Sequence, residues 1–137
     1  MTSILLIEDD AIMGESLSQR FELEGLQVRW CRRLGEARDA LSSMPSAVVS
    51  DVRLPDGLAT DWFVGLPATV RALPWFFLTG YGSVNDAVAA VRAGAREYLT
   101  KPFDIESLVA KIRDAVDLSS QHDDDALLGV SAAMRRV

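Results

Sequence analysis

Ser3-Ile4-Leu5-Leu6-Ile7-Glu8-Asp9-Asp10 is an apolar run that stops abruptly at three acids, and Ala47-Val48-Val49-Ser50-Asp51 repeats the pattern. Short, nearly continuous apolar runs of this kind mark strands buried on both faces, with the acids at their C-terminal ends. Between the two runs, Met13, Leu17, Phe21 and Glu24 recur at helical spacing, with Ile12 beside them. The spacing predicts a helix from Ala11 to Glu24, with Asp10 as a candidate cap and Gly25 as its stop. Gln27 to Cys31 alternates and suits a second strand. Leu34, Ala37, Ala40, Leu41 and Met44 share one face of a second helix, which Pro45 ends.

Beyond Asp51 the same alternation continues. Pro55-Asp56-Gly57 is a turn, and a third helical stretch covers roughly Ala59 to Leu66, with Pro67 ending or kinking it. Trp75-Phe76-Phe77-Leu78 is a fourth buried strand that runs into Thr79-Gly80. Val84, Val88, Val91 and Ala95 mark a fourth helix, and Tyr98-Leu99-Thr100 a fifth strand followed by Lys101-Pro102. Asp104 then caps a last helix carrying Ile105, Leu108, Val109, Ile112 and Val116. Five strand–helix units imply a parallel sheet covered on both faces. An eightfold barrel needs about 250 residues, so 137 residues fit a doubly wound five-stranded parallel sheet.

The bulk numbers bound the function. An acidic surplus, 20 Asp and Glu against 14 Lys and Arg, gives a net charge of −6 and argues against direct nucleic-acid binding by this chain. No apolar run approaches the roughly 20 residues of a membrane span, and no signal peptide is legible at the N-terminus. The single cysteine, Cys31, excludes an internal disulfide framework and is consistent with a cytoplasmic protein.

In an open parallel sheet, ligands bind beyond the carboxyl ends of the strands, where strand order reverses. Glu8 and Asp9 leave the first strand, Asp51 the third, Thr79 the fourth and Lys101 the fifth. Three carboxylates in one pocket repel, so either some are protonated or a cation is present. Hard oxygen ligands without a nearby histidine suit Mg²⁺, whereas Cys31 and His122 lie far from these acids in sequence, which disfavours zinc. Taken singly, each residue has an ordinary alternative: a helix cap, a turn residue, a solvated lysine. Taken as a set, one group per strand terminus, they point to a site.

The chain resembles the receiver domain of two-component response regulators over Ser3 to about Leu118. The resemblance is carried by Ile4-Leu5-Leu6-Ile7-Glu8-Asp9-Asp10, Asp51-Val52-Arg53-Leu54-Pro55, Leu78-Thr79-Gly80 and Tyr98-Leu99-Thr100-Lys101-Pro102-Phe103. It implies a flavodoxin-like (βα)5 fold in which Asp51 takes a phosphoryl group from the phosphohistidine of a histidine kinase. It further implies that Asp9, Asp51 and the carbonyl of Arg53 ligate Mg²⁺, with Glu8 reaching the ion through a water. Lys101 would pair with a phosphoryl oxygen, Thr79 and Tyr98 would form the switch pair, and Lys101-Pro102 would be a cis peptide. The family also implies a homodimer through the fourth helix, fifth strand and fifth helix, with Val88, Arg92, Tyr98, Lys111 and Asp114 as members. Arg53 and Tyr81 occupy positions that tune aspartyl-phosphate lifetime in the family. One departure is Ala59, where the family carries a glycine; if that position needs positive φ, alanine costs about 1 kcal/mol there.

Residues 1–118 are therefore expected to form the receiver. The polar, aperiodic stretch 119–126, which includes Ser119-Ser120-Gln121-His122-Asp123-Asp124-Asp125, is expected as a linker. Residues 127–137, with Leu127-Leu128-Gly129-Val130-Ser131 and Met134, look like the opening of the AAA+ ATPase domain of sigma-54-dependent activators, truncated before any phosphate-binding loop. The function so implied is a signalling switch that controls an attached transcription-activation ATPase and assists its own phosphorylation. The alternatives are a stand-alone receiver acting by protein–protein contact and a Mg²⁺-dependent small-molecule phosphotransferase.

Overall fold

The computed structural model describes residues 2–80 and 84–128. Five parallel strands form one sheet: β1 (Ser3–Ile7), β2 (Gln27–Cys31), β3 (Ala47–Asp51), β6 (Trp75–Thr79) and β7 (Glu97–Thr100). Their order is β2-β1-β3-β6-β7, so the winding reverses between β1 and β3. The expected doubly wound sheet is thus the observed one. A two-stranded antiparallel ribbon, β4 (Arg53–Leu54) with β5 (Gly57–Leu58), follows β3 directly.

The alternation along β1 explains the two-sided core. Leu5 and Ile7 face one cluster with helix α2 (Leu34–Leu41), α3 (Ala59–Val64) and α5 (Val84–Arg92). Ile4 and Leu6 face the other, with α1 (Ala11–Leu23) and α6 (Ile105–Leu128). Successive strand side chains point to opposite faces, so a strand covered on both sides must be apolar throughout. Phe21, Phe63, Trp75 and Phe77 are fully buried, and truncation of such a side chain costs about 3–5 kcal/mol. Phe63 meets Trp75 and Phe77 edge-on at 4.9 and 5.4 Å between ring centres.

Helix ends follow local chemistry. Asp10 caps α1, its Oδ1 accepting from the N–H groups of Ile12 (2.9 Å) and Met13 (3.2 Å), and Gly25 after the helix has φ +83°. Asp104 accepts from Glu106 N–H at 3.1 Å at the start of α6. The cap of α2 is different in kind. Arg33 at its N-cap position makes no side-chain cap; instead Asp56, from the β4–β5 turn, accepts from Leu34 N–H and Gly35 N–H, each at 3.0 Å.

Several expectations need correction. Helix α2 ends at Leu41, and Met44 is half exposed with φ +52°, so it belongs to the turn before Pro45 and not to the core face. The third helical stretch stops at Val64, and Pro67 opens a separate turn of helix, α4 (Ala68–Arg71), because proline's fixed φ suits a helix start. Ala59 is a fully buried residue in the first turn of α3, and the positive φ in this loop belongs to Gly57 (+144°). The anticipated alanine strain therefore does not arise. The stretch 119–126, expected as a linker, is helical, since α6 continues through it to Leu128. Residues 129–137, and Tyr81 with its expected tuning role, lie outside the described residues.

Candidate functional site

The acids at the two strand ends become neighbours because β1 and β3 pair in register, Ile7 opposite Ser50. One carboxylate oxygen each from Glu8, Asp9 and Asp51 lies within 4.8 Å of the others. At that separation two like charges cost about 3 kcal/mol per pair near a protein surface. Lys101 answers part of this. Its Nζ stands 3.1 Å from Glu8 Oε1 and 3.6 Å from Asp51 Oδ2. With all three ionised, the carboxylates and one ammonium leave two negative charges, which a hard divalent cation matches in charge and in donor type.

Each group is held by main chain. Glu8 is 1% exposed; its Oε2 accepts from Asp10 N–H at 3.3 Å. Asp51 Oδ1 accepts from Val52 N–H at 2.8 Å, leaving Oδ2 on the Lys101 side. Lys101 N–H donates to the Thr79 carbonyl at 2.7 Å, which fixes the end of β7 against the end of β6. Thr79 itself is buried, 1% exposed, and pairs in register with Thr100. The Lys101–Pro102 peptide is cis, as the resemblance implied.

Burial is the main reason that the Glu8 carboxyl is pushed up to about 7; the charge of Asp51 and a hydrogen bond shared with it push the same way, and Lys101 pulls back. For Lys101, burial works against the charged form, but Asp51 and Glu8 together more than offset it and raise the ammonium above its ordinary value. Asp51 remains 13% exposed at its side chain. The arrangement therefore offers a reachable carboxylate nucleophile, a fixed countercharge and a carboxylate set for a cation.

Of the expected site residues, Glu8, Asp9, Asp51 and Lys101 come together directly, and Thr79 lies at the adjoining strand end. Arg53 follows two residues after Asp51 at the start of the ribbon, its side chain exposed. Tyr98 sits opposite Phe77, half-buried against the cluster that holds Trp75, Phe77, Ala90 and Ala95. Two residues near the acids escaped the sequence reading. Trp30 Nε1–H donates to the Glu8 carbonyl at 2.8 Å, and Arg32 Nη2 donates to the Asp9 carbonyl at 2.7 Å. Both lie at or just beyond the end of β2, the same edge of the sheet, which is the signal that could have found them.

The family model for the response regulator receiver domain matches residues 4–113. The C4-dicarboxylate transport transcriptional regulatory protein DctD of Pseudomonas aeruginosa is 32% identical over 154 residues, an alignment covering 99% of this chain and 33% of DctD. Response regulator MprA of Mycolicibacterium vanbaalenii is 40% identical over 134 residues, covering 96% of this chain and 56% of MprA. The chain thus spans between a third and just over half of these relatives. Among solved structures, the beryllofluoride-activated NtrC4 receiver domain dimer aligns with a TM-score of 0.78 at 30% identity over 85% of this chain and 98% of that one. A CheY-like receiver domain protein from Methanospirillum hungatei aligns at 0.83 and 26% identity over 89% of this chain and 98% of that one.

Proposed function

The chain belongs to the response regulator receiver domain family of two-component signalling, and on that premise we propose that Asp51 accepts a phosphoryl group from a histidine kinase. The observation that carries the proposal is the position of Lys101, between Glu8 and Asp51 at the mouth of a three-carboxylate group. A carboxylate oxygen of Asp51 attacks phosphorus, the phosphorus–nitrogen bond to the donor imidazole breaks, and the imidazole leaves. Such transfers need little covalent help beyond alignment and neutralisation of the equatorial oxygens. Lys101 pairs with one of those oxygens, and the Thr79 hydroxyl donates to another. Asp9 and Asp51, with the Arg53 carbonyl, would hold Mg²⁺, and Glu8 would orient a water on it. When bound, the ion supplies the remaining positive charge. The phosphate then biases the Thr79–Tyr98 pair, and through it the surface of α5, β7 and α6.

That surface supports the dimer reading. Val88 and Val91 on α5 are exposed apolar residues, Arg92 and Asp114 are exposed, and Lys111 of α6 pairs with Glu97 of β7 at 2.6 Å. The likeness to a receiver dimer activated by beryllofluoride favours the same assembly here. The attached partner proposed is a sigma-54-type AAA+ domain beginning near residue 127, with 1–118 as the receiver and a helical connection through 119–126. Its supports are the Leu127–Val137 sequence and the DctD alignment, which covers 99% of this chain. A cytoplasmic location is proposed with it; no described helix is long and apolar enough to cross a membrane.

Incubation with Mg²⁺ and acetyl phosphate, followed by intact-mass measurement, tests the reading. The expected result is a labile gain of one phosphoryl group that Asp51→Asn abolishes. Donor turnover with an unchanged protein mass points instead to a phosphotransferase, and no reaction at all to a scaffold that keeps only the fold.

A further inference from the structure

The acid pair Glu8-Asp9 leaves β1 under strain of charge, since its carboxylates crowd Asp51 within 4.8 Å. Crowded like charges separate unless the main chain beneath them is held. Two side chains from β2 and its end hold it here. The indole N–H of Trp30 donates to the Glu8 carbonyl at 2.8 Å, and the Arg32 guanidinium donates to the Asp9 carbonyl at 2.7 Å. The two side chains brace each other, because the Arg32 guanidinium carbon lies 5.9 Å from the centre of the Trp30 ring. Helix α1 is cut away to admit the indole. A Cβ on Gly14 would stand 2.1 Å from Trp30 Cζ2, so no larger residue fits at that helix position without moving the ring. Gly14 N–H in turn bonds the Asp10 carbonyl at 2.8 Å, which ties the notch to the residue after the acid pair.

We infer that Trp30 and Arg32 are positioning residues for the cation site: by holding the Glu8 and Asp9 carbonyls they fix both carboxylates in the ligating arrangement with Asp51. The inference rests on the proposed function, because it takes the acids to be ligands. Neither side chain offers a ligand atom, since an indole N–H and a guanidinium only donate. They act through the peptide groups of the ligands, and groups that orient ligands in this way commonly set affinity by about 10–100-fold when lost.

The test is the Mg²⁺ dissociation constant by calorimetry, at fixed pH and salt, for the unaltered chain, Trp30→Phe, Arg32→Gln, Arg32→Lys and Val109→Ala. Trp30→Phe keeps a ring in the notch and deletes the donor; Arg32→Gln alters an exposed side chain and leaves the core intact. Val109→Ala loses melting temperature by truncating a buried α6 side chain that makes neither carbonyl contact. Expected are a weakening of about 10-fold for Trp30→Phe and several-fold for Arg32→Gln, partial recovery in Arg32→Lys, and an unchanged constant in Val109→Ala. Variants at 30 and 32 that bind Mg²⁺ as tightly as the unaltered chain overturn the inference while leaving the site reading intact. The same holds if Val109→Ala weakens binding equally, since the effect would then follow stability alone. An unaltered chain that binds no Mg²⁺ contradicts the site reading itself, and the inference with it.

Discussion

Lys101 and Glu8 meet across 93 positions of sequence, the ammonium 3.1 Å from a carboxylate that is 1% exposed. Lys101 restrains the upward shift of Glu8, with the Asp10 N–H bond as a smaller second restraint. Its removal in Lys101→Ala is expected to carry the Glu8 titration above 7. Carbon-detected NMR of the glutamate carboxyls measures this directly. A Glu8 titration that stays put or moves down in the variant shows that the two groups are not electrostatic partners.

The same carboxyl predicts how stability depends on pH. Glu8 titrates near 7 in the folded chain against an ordinary value of 4.5, because it is buried and faces Asp51. Between those values the folded chain keeps a proton that the unfolded chain has lost, so the stability of the metal-free protein falls as pH rises through the window. The full change amounts to about 3 kcal/mol. Urea unfolding in EDTA at pH 5, 6 and 7.5 measures the slope, which Glu8→Gln should flatten. A rising slope in this window contradicts the burial argument.

Asp56 works in the opposite direction and in a lower range. Its hydrogen bonds from Leu34 N–H and Gly35 N–H hold its carboxyl below the ordinary 3.8. The stabilisation is present above that value and is lost as pH falls through the folded one, outside the Glu8 window. Asp56→Ala is expected to cost about 1 kcal/mol near neutrality, the usual worth of a helix cap. The deficit should shrink in strong acid. An equal deficit at all pH values would mean that the aspartate acts through packing and not as a charged cap.

Gly14 gives a packing prediction. Gly14→Ala places a Cβ 2.1 Å from the Trp30 ring, and such overpacking costs about 1–3 kcal/mol. The cost should largely vanish when Trp30→Ala is present as well, so that a double-mutant cycle in urea reports coupling. Additive effects would show that α1 accommodates the methyl group without touching the indole.

How far the sequence reached is clearest at particular residues. Asp10 and Asp104 were legible as caps because the donors they serve lie two or three positions on. The cap of α2 was not, because Asp56 serves donors 21 and 22 positions away, and local reading carries no such information. The strand-end acids were legible because a doubly buried strand has no place for them except its end. Trp30 and Arg32 were hidden, since β2 at the sheet edge alternates and an aromatic or arginine there reads as surface. The ribbon Arg53–Leu54 with Gly57–Leu58 is too short for any period to show. Residues 119–126 lack an apolar stripe, yet from Phe103 to Leu128 there is no glycine or proline to stop a helix already begun on Leu108 and Ile112. Extending a formed helix is far easier than nucleating one.

Among the three crowded carboxylates, Asp51 is the proposed acceptor of the phosphoryl group. Borohydride reduces an acyl phosphate to an alcohol, so phosphorylation with acetyl phosphate and Mg²⁺, reduction, proteolysis and fragment mass spectrometry locate the acceptor. Reduction is expected at position 51 alone, giving homoserine. Reduction at Glu8 or Asp9, or an unreduced protein after phosphorylation elsewhere, would contradict it.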